Sequence, residues 1–371
     1  MLRQNSRSKC EGARSPFQII AQEGAGKIGK YLLIVIIYFQ LLGAGVVFLL
    51  LTAQNMQSLL HALHVHVSFC LWILIVTAIL IPFCWFGTPK DSWILAVIAM
   101  VCTAIAALFI SISALRDHKH HEPPSPVTFK TFSFSMGIMF FSWGGSAMFP
   151  TIQVDMKHPD KFHYAVIVAY IVLLIFYLPI QIIGYTVYGS HIKDNILEIL
   201  PKDFFRYSVE ILITGHLLMA FTIVLNPVFQ GLEDVFKTPK RFCWQRVAVR
   251  SILVLFLTFL AETIPHFGPI LSFIGSSTVS LLGFVLPVIC YVTIKIRSTQ
   301  LVYEHRLNTL RRVFPIYELI LLVLSLMIGL FGAFASSIAS FSDLVNPKSY
   351  VLPCFINATW AEGTPHNDTN Y

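Results

Sequence analysis

The sequence is dominated by long apolar blocks, and these blocks restrict the fold more than any other feature. A helix that crosses a bilayer needs about 20 mostly apolar residues. In lipid, only helices and closed barrels satisfy every backbone polar group, and these blocks show no alternation of polar and apolar residues. We therefore predict an all-α polytopic membrane protein with about nine transmembrane helices, in blocks 31–53, 65–86, 92–113, 130–150, 164–189, 206–229, 247–265, 268–294 and 314–340.

The composition agrees with a single membrane domain. The chain is 56% hydrophobic and 12% charged, whereas soluble domains carry about 25% charged residues. We predict a cytosolic N-terminal segment over 1–30, a transmembrane domain over 31–340 and an exoplasmic or lumenal tail over 341–371. The pattern does not indicate an enzyme, and we expect no cofactor and no metal site.

The distribution of Lys and Arg predicts the orientation. With the N-terminus in the cytosol and nine spans, the cytosolic segments hold 19 of these residues and the opposite side holds 7. Positive residues accumulate on the cytosolic side of membrane proteins. The net charge of +7 is thus explained by membrane topology, with the lipid bilayer as partner, and gives no indication of nucleic-acid binding.

The tail and the cysteines add to this topology. Asn357 and Asn367 each begin a glycosylation sequon in the tail, which predicts a glycoprotein with its C-terminus outside the cytosol. Cys70 falls inside a predicted span and Cys354 lies alone in the tail. The spacing of the cysteines suggests no disulfide, and no CxxC motif supports a redox or zinc site.

Two adjacent glycines interrupt the apolar block 130–150. Gly144 and Gly145 lie near its middle, and Pro150 follows. One interpretation is close helix packing, which small residues allow in membranes. The other is a discontinuous helix whose exposed backbone groups line a cavity and bind the two charges of an amino acid. The candidate substrate-binding residues are Phe141, Ser142, Trp143, Gly144, Gly145 and Ser146.

Several motifs together resemble one transporter family. The run Phe149–Pro159 after Gly144-Gly145 resembles the sixth helix of the amino acid/auxin permease superfamily. Further matches follow in order at 184–201, 216–233, 261–277 and 286–287, and a short motif at 14–29 precedes the first span. The resemblance covers roughly residues 14–340 and is closest to the vesicular inhibitory, proton-coupled and sodium-coupled neutral amino acid transporters.

The resemblance implies a LeuT-type inverted-repeat fold of eleven helices, in which the broken first and sixth helices frame the substrate. The chain matches family helices three to eleven, so only the sixth-helix half of the substrate site falls in it. We accordingly expect this stretch alone not to carry out coupled transport, which would make it an inactive or shortened form.

Three ionisable or hydroxyl side chains inside spans are candidates for ion coupling or gating. His216 lies about ten residues into its span, and an intramembrane histidine is a functional candidate because it titrates near neutral pH. Thr222 lies on the same helix, in the region where sodium-coupled relatives bind their ion. Glu262 lies near the exoplasmic end of its span and is a candidate outer gate. Hydrogen bonding between helices is the alternative role for His216.

Two functional interpretations remain open. The first is a secondary active transporter, a symporter of amino acids with protons or sodium, located in the plasma membrane or in an endolysosomal or vesicle membrane. The second is a non-transporting nutrient sensor or regulatory isoform on the same scaffold.

Overall fold

The computed structural model describes residues 16–62, 64–85, 92–117, 123, 126–239, 242–298, 313–345 and 353–356. All regular structure within these ranges is helical, and they contain no strand. The α-helices in chain order are α1 Pro16–His61, α2 Phe69–Trp85, α3 Ser92–Arg116, α4 Phe129–Ser142, α5 Phe149–Asp155, α6 Phe162–Tyr188, α7 Phe204–Val235, α8 Trp244–Thr263, α9 Phe267–Ile274, α10 Leu286–Ser298, α11 Ile316–Phe331 and α12 Ser337–Val345.

The helices confirm the all-α polytopic prediction. Within the described residues, six helical stretches are long and apolar enough to cross a membrane: Pro16–His61, Ala96–Arg116, Pro159–His191, Phe204–Val235, Phe267–Ser298 and Ile316–Val345. The other three predicted blocks are also helical but differ in form. Helix α2 has 17 residues, α8 has 20, and block 130–150 is divided between α4 and α5.

Helix α1 begins earlier than the block 31–53 predicts. It starts at Pro16 and contains one non-helical residue, Gly26, with φ 72° and ψ −166°. This left-handed conformation is one that glycine adopts without steric cost. The helix is therefore kinked at Gly26, and residues 16–25 form a short helical segment before the longer segment that ends at His61.

Outward-facing apolar side chains are those expected of a protein in lipid. On α6, Ile167, Ile171, Ile175 and Ile182 are each more than half exposed. In a soluble protein a contiguous apolar surface of this kind marks an interaction site. Along a helix long enough to span a bilayer, it indicates contact with acyl chains.

The chain divides into two compact units, which we describe separately. The interrupted unit comprises the described residues among 1–40, 127–169 and 269–346. The ion-paired unit comprises those among 41–126, 170–268 and 347–371.

The interrupted unit departs repeatedly from α-helical hydrogen bonding. A 3₁₀ segment, Gly144–Met148, separates α4 from α5. Two π-helical segments, Gly275–Val279 and Leu281–Val285, join α9 to α10. A third, Gly332–Ser336, joins α11 to α12. Such π segments often occur at functional sites.

The ion-paired unit combines continuous helices with buried charges. Apolar side chains of α3, of the end of α6 and of α7 form its core, including Ala106, Val187, Leu200 and Val209. Two ion pairs lie among these helices: Arg206 with Glu210, and Arg250 with Glu233. Buried charges are tolerated in an apolar interior when they are paired and hydrogen-bonded.

A disulfide in the ion-paired unit corrects our prediction for the cysteines. Cys70, at the start of α2, is bonded to Cys354 in the tail. The two positions are 284 residues apart, so their spacing along the chain gives no sign of the pair. The backbone N–H of Cys354 also donates to the carbonyl of Glu262, with an N···O distance of 2.9 Å. The segment 353–356 is thereby held against α2 and α8.

Candidate substrate site at the interrupted helix

The helix in block 130–150 is interrupted, as the adjacent glycines predict. Helix α4 ends at Ser142, and Trp143 caps it with φ −101° and ψ 15°. The backbone then follows a 3₁₀ path from Gly144 to Met148 and becomes α-helical again at Phe149. At a junction between hydrogen-bonding patterns, backbone groups lose their i to i−4 partners and become available to other groups.

The two glycines have different surroundings. A Cβ atom on Gly144 would lie 3.0 Å from Nε2 of Gln40 and 3.2 Å from Cγ2 of Val279. A Cβ atom on Gly145 would meet no heavy atom within 4 Å. Gly144 is thus tightly packed inside the interrupted unit, whereas Gly145 faces open space. The surroundings of Gly144 agree with the close-packing interpretation, and those of Gly145 leave the substrate-binding interpretation open.

Gln40 satisfies the backbone at the interruption. Its side-chain amide donates to the carbonyl of Gly144, with an N···O distance of 3.1 Å. Sequence reasoning missed Gln40, although a glutamine inside an apolar span is a signal, because a polar side chain in lipid needs a partner.

The other candidate residues differ in how they are held. The Ser142 hydroxyl donates to the carbonyl of Ile138 at 3.1 Å and is exposed. The Ser146 hydroxyl is buried and has no hydrogen-bond partner among the described residues. The backbone of Phe141 lies directly against Gly275, where an added Cβ would overlap it. Ser146 therefore has an unused hydroxyl, which lies close to Gly283, where an added Cβ would be 3.0 Å from its oxygen.

The structure places His216 as a connection between two helices. Its Nδ1 lies 3.1 Å from the carbonyl oxygen of Ala99 and 3.2 Å from the hydroxyl of Thr103, both on α3. Thr103 also donates to the Ala99 carbonyl at 3.0 Å. A protonated Nδ1 donates to that carbonyl and leaves Nε2 as the acceptor of the ring. His216 is half-buried and joins α7 to α3 within the ion-paired unit.

Thr222 and Glu262 have separate surroundings. The Thr222 hydroxyl donates to the carbonyl of Met219 at 3.0 Å, so its oxygen remains free to accept or to bind a cation. The Glu262 carboxylate lies beside the sulfurs of Cys70 and Cys354. Because those sulfurs are joined in a disulfide, they supply no thiolate to a metal ion.

The structure brings together one part of the predicted site. The six candidates Phe141–Ser146 lie at one interruption in the interrupted unit, whereas His216, Thr222 and Glu262 belong to the ion-paired unit. The sequons at Asn357 and Asn367 lie outside the described residues.

The ion pairs of two buried arginines were also not predicted, because both arginines lie at the ends of predicted spans and were counted with the flanking segments. The Arg206 Nε donates to Glu210 at 3.0 Å, and the Arg250 Nε donates to Glu233 at 2.6 Å. Arg250 Nη1 also donates to the Cys84 carbonyl at the end of α2. The spacing of Arg206 and Glu210, four residues apart on one helix, is a sequence signal for the first pair.

Comparison with known proteins gives the family of the chain. The model of the transmembrane amino acid transporter protein family matches residues 1–342. Amino acid transporter AVT1D of Arabidopsis thaliana is 24% identical over 301 residues, covering 76% of this chain and 54% of the relative. AVT1C of the same plant is 22% identical over 346 residues, covering 88% and 58%. AVT3C is 30% identical over 163 residues, covering 44% and 36%.

The chain thus spans about half the length of the curated relatives it matches first. No solved structure matches it. The family match covers most of the chain, including the interrupted helix, and the described residues carry the apolar helices that such a protein needs. The chain belongs to the transmembrane amino acid transporter family.

Proposed function

We propose that the protein is a secondary active transporter of amino acids and that Phe141–Ser146 forms part of its substrate site. The observation that carries this proposal is the interruption between Ser142 and Phe149 inside an apolar block. Irregular backbone at membrane depth occurs where it is buried in protein or lines a cavity. In secondary transporters, discontinuous helices of this kind bind substrate.

The groups at the interruption suit a zwitterion. The C-terminal end of α4 presents carbonyl groups and a partial negative charge, which attract an ammonium group. The unpartnered hydroxyl of Ser146 is a donor for a carboxylate, and the Ser142 hydroxyl can serve as a second donor if it gives up its bond to the Ile138 carbonyl. Gly145 leaves space for the substrate backbone, and the rings of Phe141 and Trp143 supply an apolar wall for its side chain.

Uptake by cells that express a longer form containing residues 1–371 tests the proposal. Labelled amino acids are supplied under an imposed proton or sodium gradient, and saturable uptake above vector-only cells is expected. Gly144→Leu is expected to abolish it, because even a Cβ atom there presses on Gln40 and Val279. Gly145→Ala is the matched control and should retain most of the uptake. Normal uptake by the Gly144→Leu variant at equal surface expression would overturn the site.

We further propose that the coupling ion is a proton or sodium and that His216, Thr222 or Glu262 takes part in coupling or gating. His216→Asn keeps a donor for the Ala99 carbonyl but removes the imidazole ring, which can carry a proton. Thr222→Val keeps the shape and removes the hydroxyl, and Glu262→Gln removes the charge. Loss of the proton or sodium dependence in one variant, with expression unchanged, identifies the residue. Unchanged ion dependence in all three variants contradicts the assignment.

The orientation we propose places the N-terminus in the cytosol and the tail outside it or in a lumen. The excess of Lys and Arg in the cytosolic segments supports this. The Cys70–Cys354 disulfide supports it independently, because disulfides persist in oxidising compartments and both cysteines lie on the predicted non-cytosolic side. Antibody access to a C-terminal tag tests this orientation. A tag that is reached when only the plasma membrane is permeabilised, and not in intact cells, would be cytosolic and would contradict it.

The same assays separate the two remaining interpretations. A non-transporting sensor or regulatory form would bind amino acids without uptake. The prediction that this stretch alone does not transport is tested with purified residues 1–371 in liposomes. Uptake at background level in these liposomes, beside saturable uptake by a longer form that contains residues 1–371, is the result expected from that prediction. Saturable gradient-driven uptake in the liposomes would show that residues 1–371 suffice.

A further inference from the structure

We infer that the ion-paired unit contains a second amino acid site, separate from the interruption at Gly144. A cavity of about 510 Å³ lies between the end of α1, the segment that joins α6 to α7, and the start of α9. We name it the Lys202 pocket. Small-molecule sites typically enclose about 300–1,000 Å³. The proposed orientation places this pocket on the non-cytosolic face, so it would receive substrate from that side.

Lys202 is the group that recognises a carboxylate. It lines the pocket, is exposed, and has no ion-pair partner among the described residues. The other cation in the wall, Arg206, is already engaged: it donates to Glu210, to the Ser58 hydroxyl at 2.8 Å and to the Leu200 carbonyl at 2.9 Å. A ligand anion therefore meets one available positive charge.

The opposite charge is also present. Asp194 and Glu198 line the pocket. Glu198 is only loosely held, by Lys193 at 3.4 Å, and both side chains are partly exposed. Asp194 lies so close to Gly268 that a Cβ atom at Gly268 would overlap its carboxylate. The glycine thus makes room for an acidic side chain at the wall, and the loosely held Glu198 carboxylate is the group that attracts an ammonium group.

An unused acceptor points to a ligand. Gln54 lines the pocket, and its Oε1 is buried without a hydrogen-bond partner in the described part of the chain. A buried acceptor without a partner is unfavourable. An ammonium group has three donors and can satisfy both this oxygen and a carboxylate.

Another part of the wall is apolar and aromatic, while Gln57, Ser58, His61, Tyr207 and His266 add polar groups. Phe69, Pro265 and Phe267 face the cavity. They can accept an uncharged side chain while Lys202 and the Glu198 carboxylate hold the charged ends. Since both charges of the ligand have a partner, the chemistry selects a neutral zwitterionic amino acid over a simple amine or a simple acid.

Protection of an introduced thiol tests the site. Ala62 lies at the exposed rim of the pocket, so Ala62→Cys places a reporter there without altering the charged groups. A membrane-impermeant thiol reagent is added from the non-cytosolic side, with L-alanine, L-glutamine or L-leucine tested singly. At ten times the dissociation constant, bound ligand should slow modification about tenfold. Propanoate and ethylamine, each with one of the two charges, should protect far less.

Matched variants make the result specific. Val127→Cys, on an exposed segment expected on the same side, should show no protection. Lys202→Gln should weaken protection about tenfold, because a charge-assisted hydrogen bond is lost. Lys130→Gln removes the same charge from an exposed side chain that is expected on the same side and does not line the pocket, and should leave protection nearly unchanged.

Gly144→Leu separates this site from the substrate site already proposed. When Gly144→Leu is combined with Ala62→Cys, protection of the introduced thiol should survive even though uptake is lost. Equal modification rates with and without every amino acid, in Ala62→Cys protein that still carries the Cys70–Cys354 disulfide, would overturn the proposal. Protection by ethylamine or propanoate as strong as by L-alanine would also overturn it.

Discussion

The two units bury polar groups in opposite ways. The ion-paired unit keeps its helices continuous and places full charges inside, each held by several donors or acceptors: Arg250, for example, bonds Glu233 and the Cys84 carbonyl. The interrupted unit has its 3₁₀ and π segments at small residues and satisfies them with neutral groups, such as Gln40 on the Gly144 carbonyl. Neutral hydrogen bonds are weaker than charge-assisted ones. We therefore expect the ion-paired unit to be rigid and the backbone of the interrupted unit to adapt more easily.

The largest expected effect concerns the buried charges of the ion-paired unit. Glu233→Ala removes the carboxylate that holds both Arg250 and Arg246. Arg250 is 2% exposed, so its charge is left buried. Breaking a buried pair in this way costs about 3–5 kcal/mol. Thermal unfolding in detergent micelles measures the loss.

Glu198→Ala is the matched control, since it removes the same side chain from an exposed pair with Lys193. Exposed pairs contribute about 0–1 kcal/mol. If Glu233→Ala were no more destabilising than Glu198→Ala, the ion-paired unit would not owe its rigidity to buried charges.

The second prediction tests how closely the interrupted unit is packed. An added Cβ at Gly275 would overlap the Gly137 carbonyl and the Phe141 backbone. Since these are backbone atoms with little freedom to move, Gly275→Ala should destabilise the protein by about 1–3 kcal/mol. Gly145→Ala, which meets open space, should change the melting temperature little. Equal melting temperatures for the two variants would show that α4 does not rest on the π segment.

These positions show which features the sequence predicts. The interruption was predictable because Gly144 and Gly145 are local signals inside an apolar block. The π segments were not predictable, because their residues resemble those of an ordinary transmembrane helix. The close contacts of Gly275 with Gly137 and of Gly332 with Phe140 are visible only in the structure.

Contacts between residues far apart in sequence were also not predictable. The disulfide joins positions 284 apart, and Arg250 meets the Cys84 carbonyl across 166 positions. A hydropathy pattern reports burial along one helix and carries no information on which helices meet. The same limit applies to the Lys202 pocket, whose walls come from segments far apart in sequence.

The third prediction concerns the bond that satisfies the interruption. Gln40→Leu keeps a similar shape and removes the donor to the Gly144 carbonyl. An acceptor left without a partner away from water costs about 1–3 kcal/mol. We expect lower thermal stability within that range. Gln54→Leu is the control, because the Gln54 Oε1 already lacks a partner in the described part of the chain. A larger loss in Gln54→Leu than in Gln40→Leu would contradict the role of Gln40.

The smallest expected effect tests the neutral bonds of the interrupted unit one at a time. The Ser272 hydroxyl is fully buried and lies 2.7 Å from the Phe134 carbonyl and 2.6 Å from the Ser340 hydroxyl. Ser272→Ala removes both bonds and leaves a small space. A typical neutral hydrogen bond contributes about 0.5–1.5 kcal/mol, so a loss of about 1–2 kcal/mol is expected.

Ser142→Ala is the matched control for Ser272→Ala. The Ser142 hydroxyl is exposed and bonds only to the carbonyl of its own helix, at Ile138. Water replaces such a bond readily, so its removal should leave the melting temperature nearly unchanged. The difference between the two losses measures what the buried Ser272 hydrogen bonds between helices contribute to stability. A loss for Ser272→Ala as large as that for Glu233→Ala would mean that the neutral contacts are as rigid as the charged ones, and the contrast between the two units would fail.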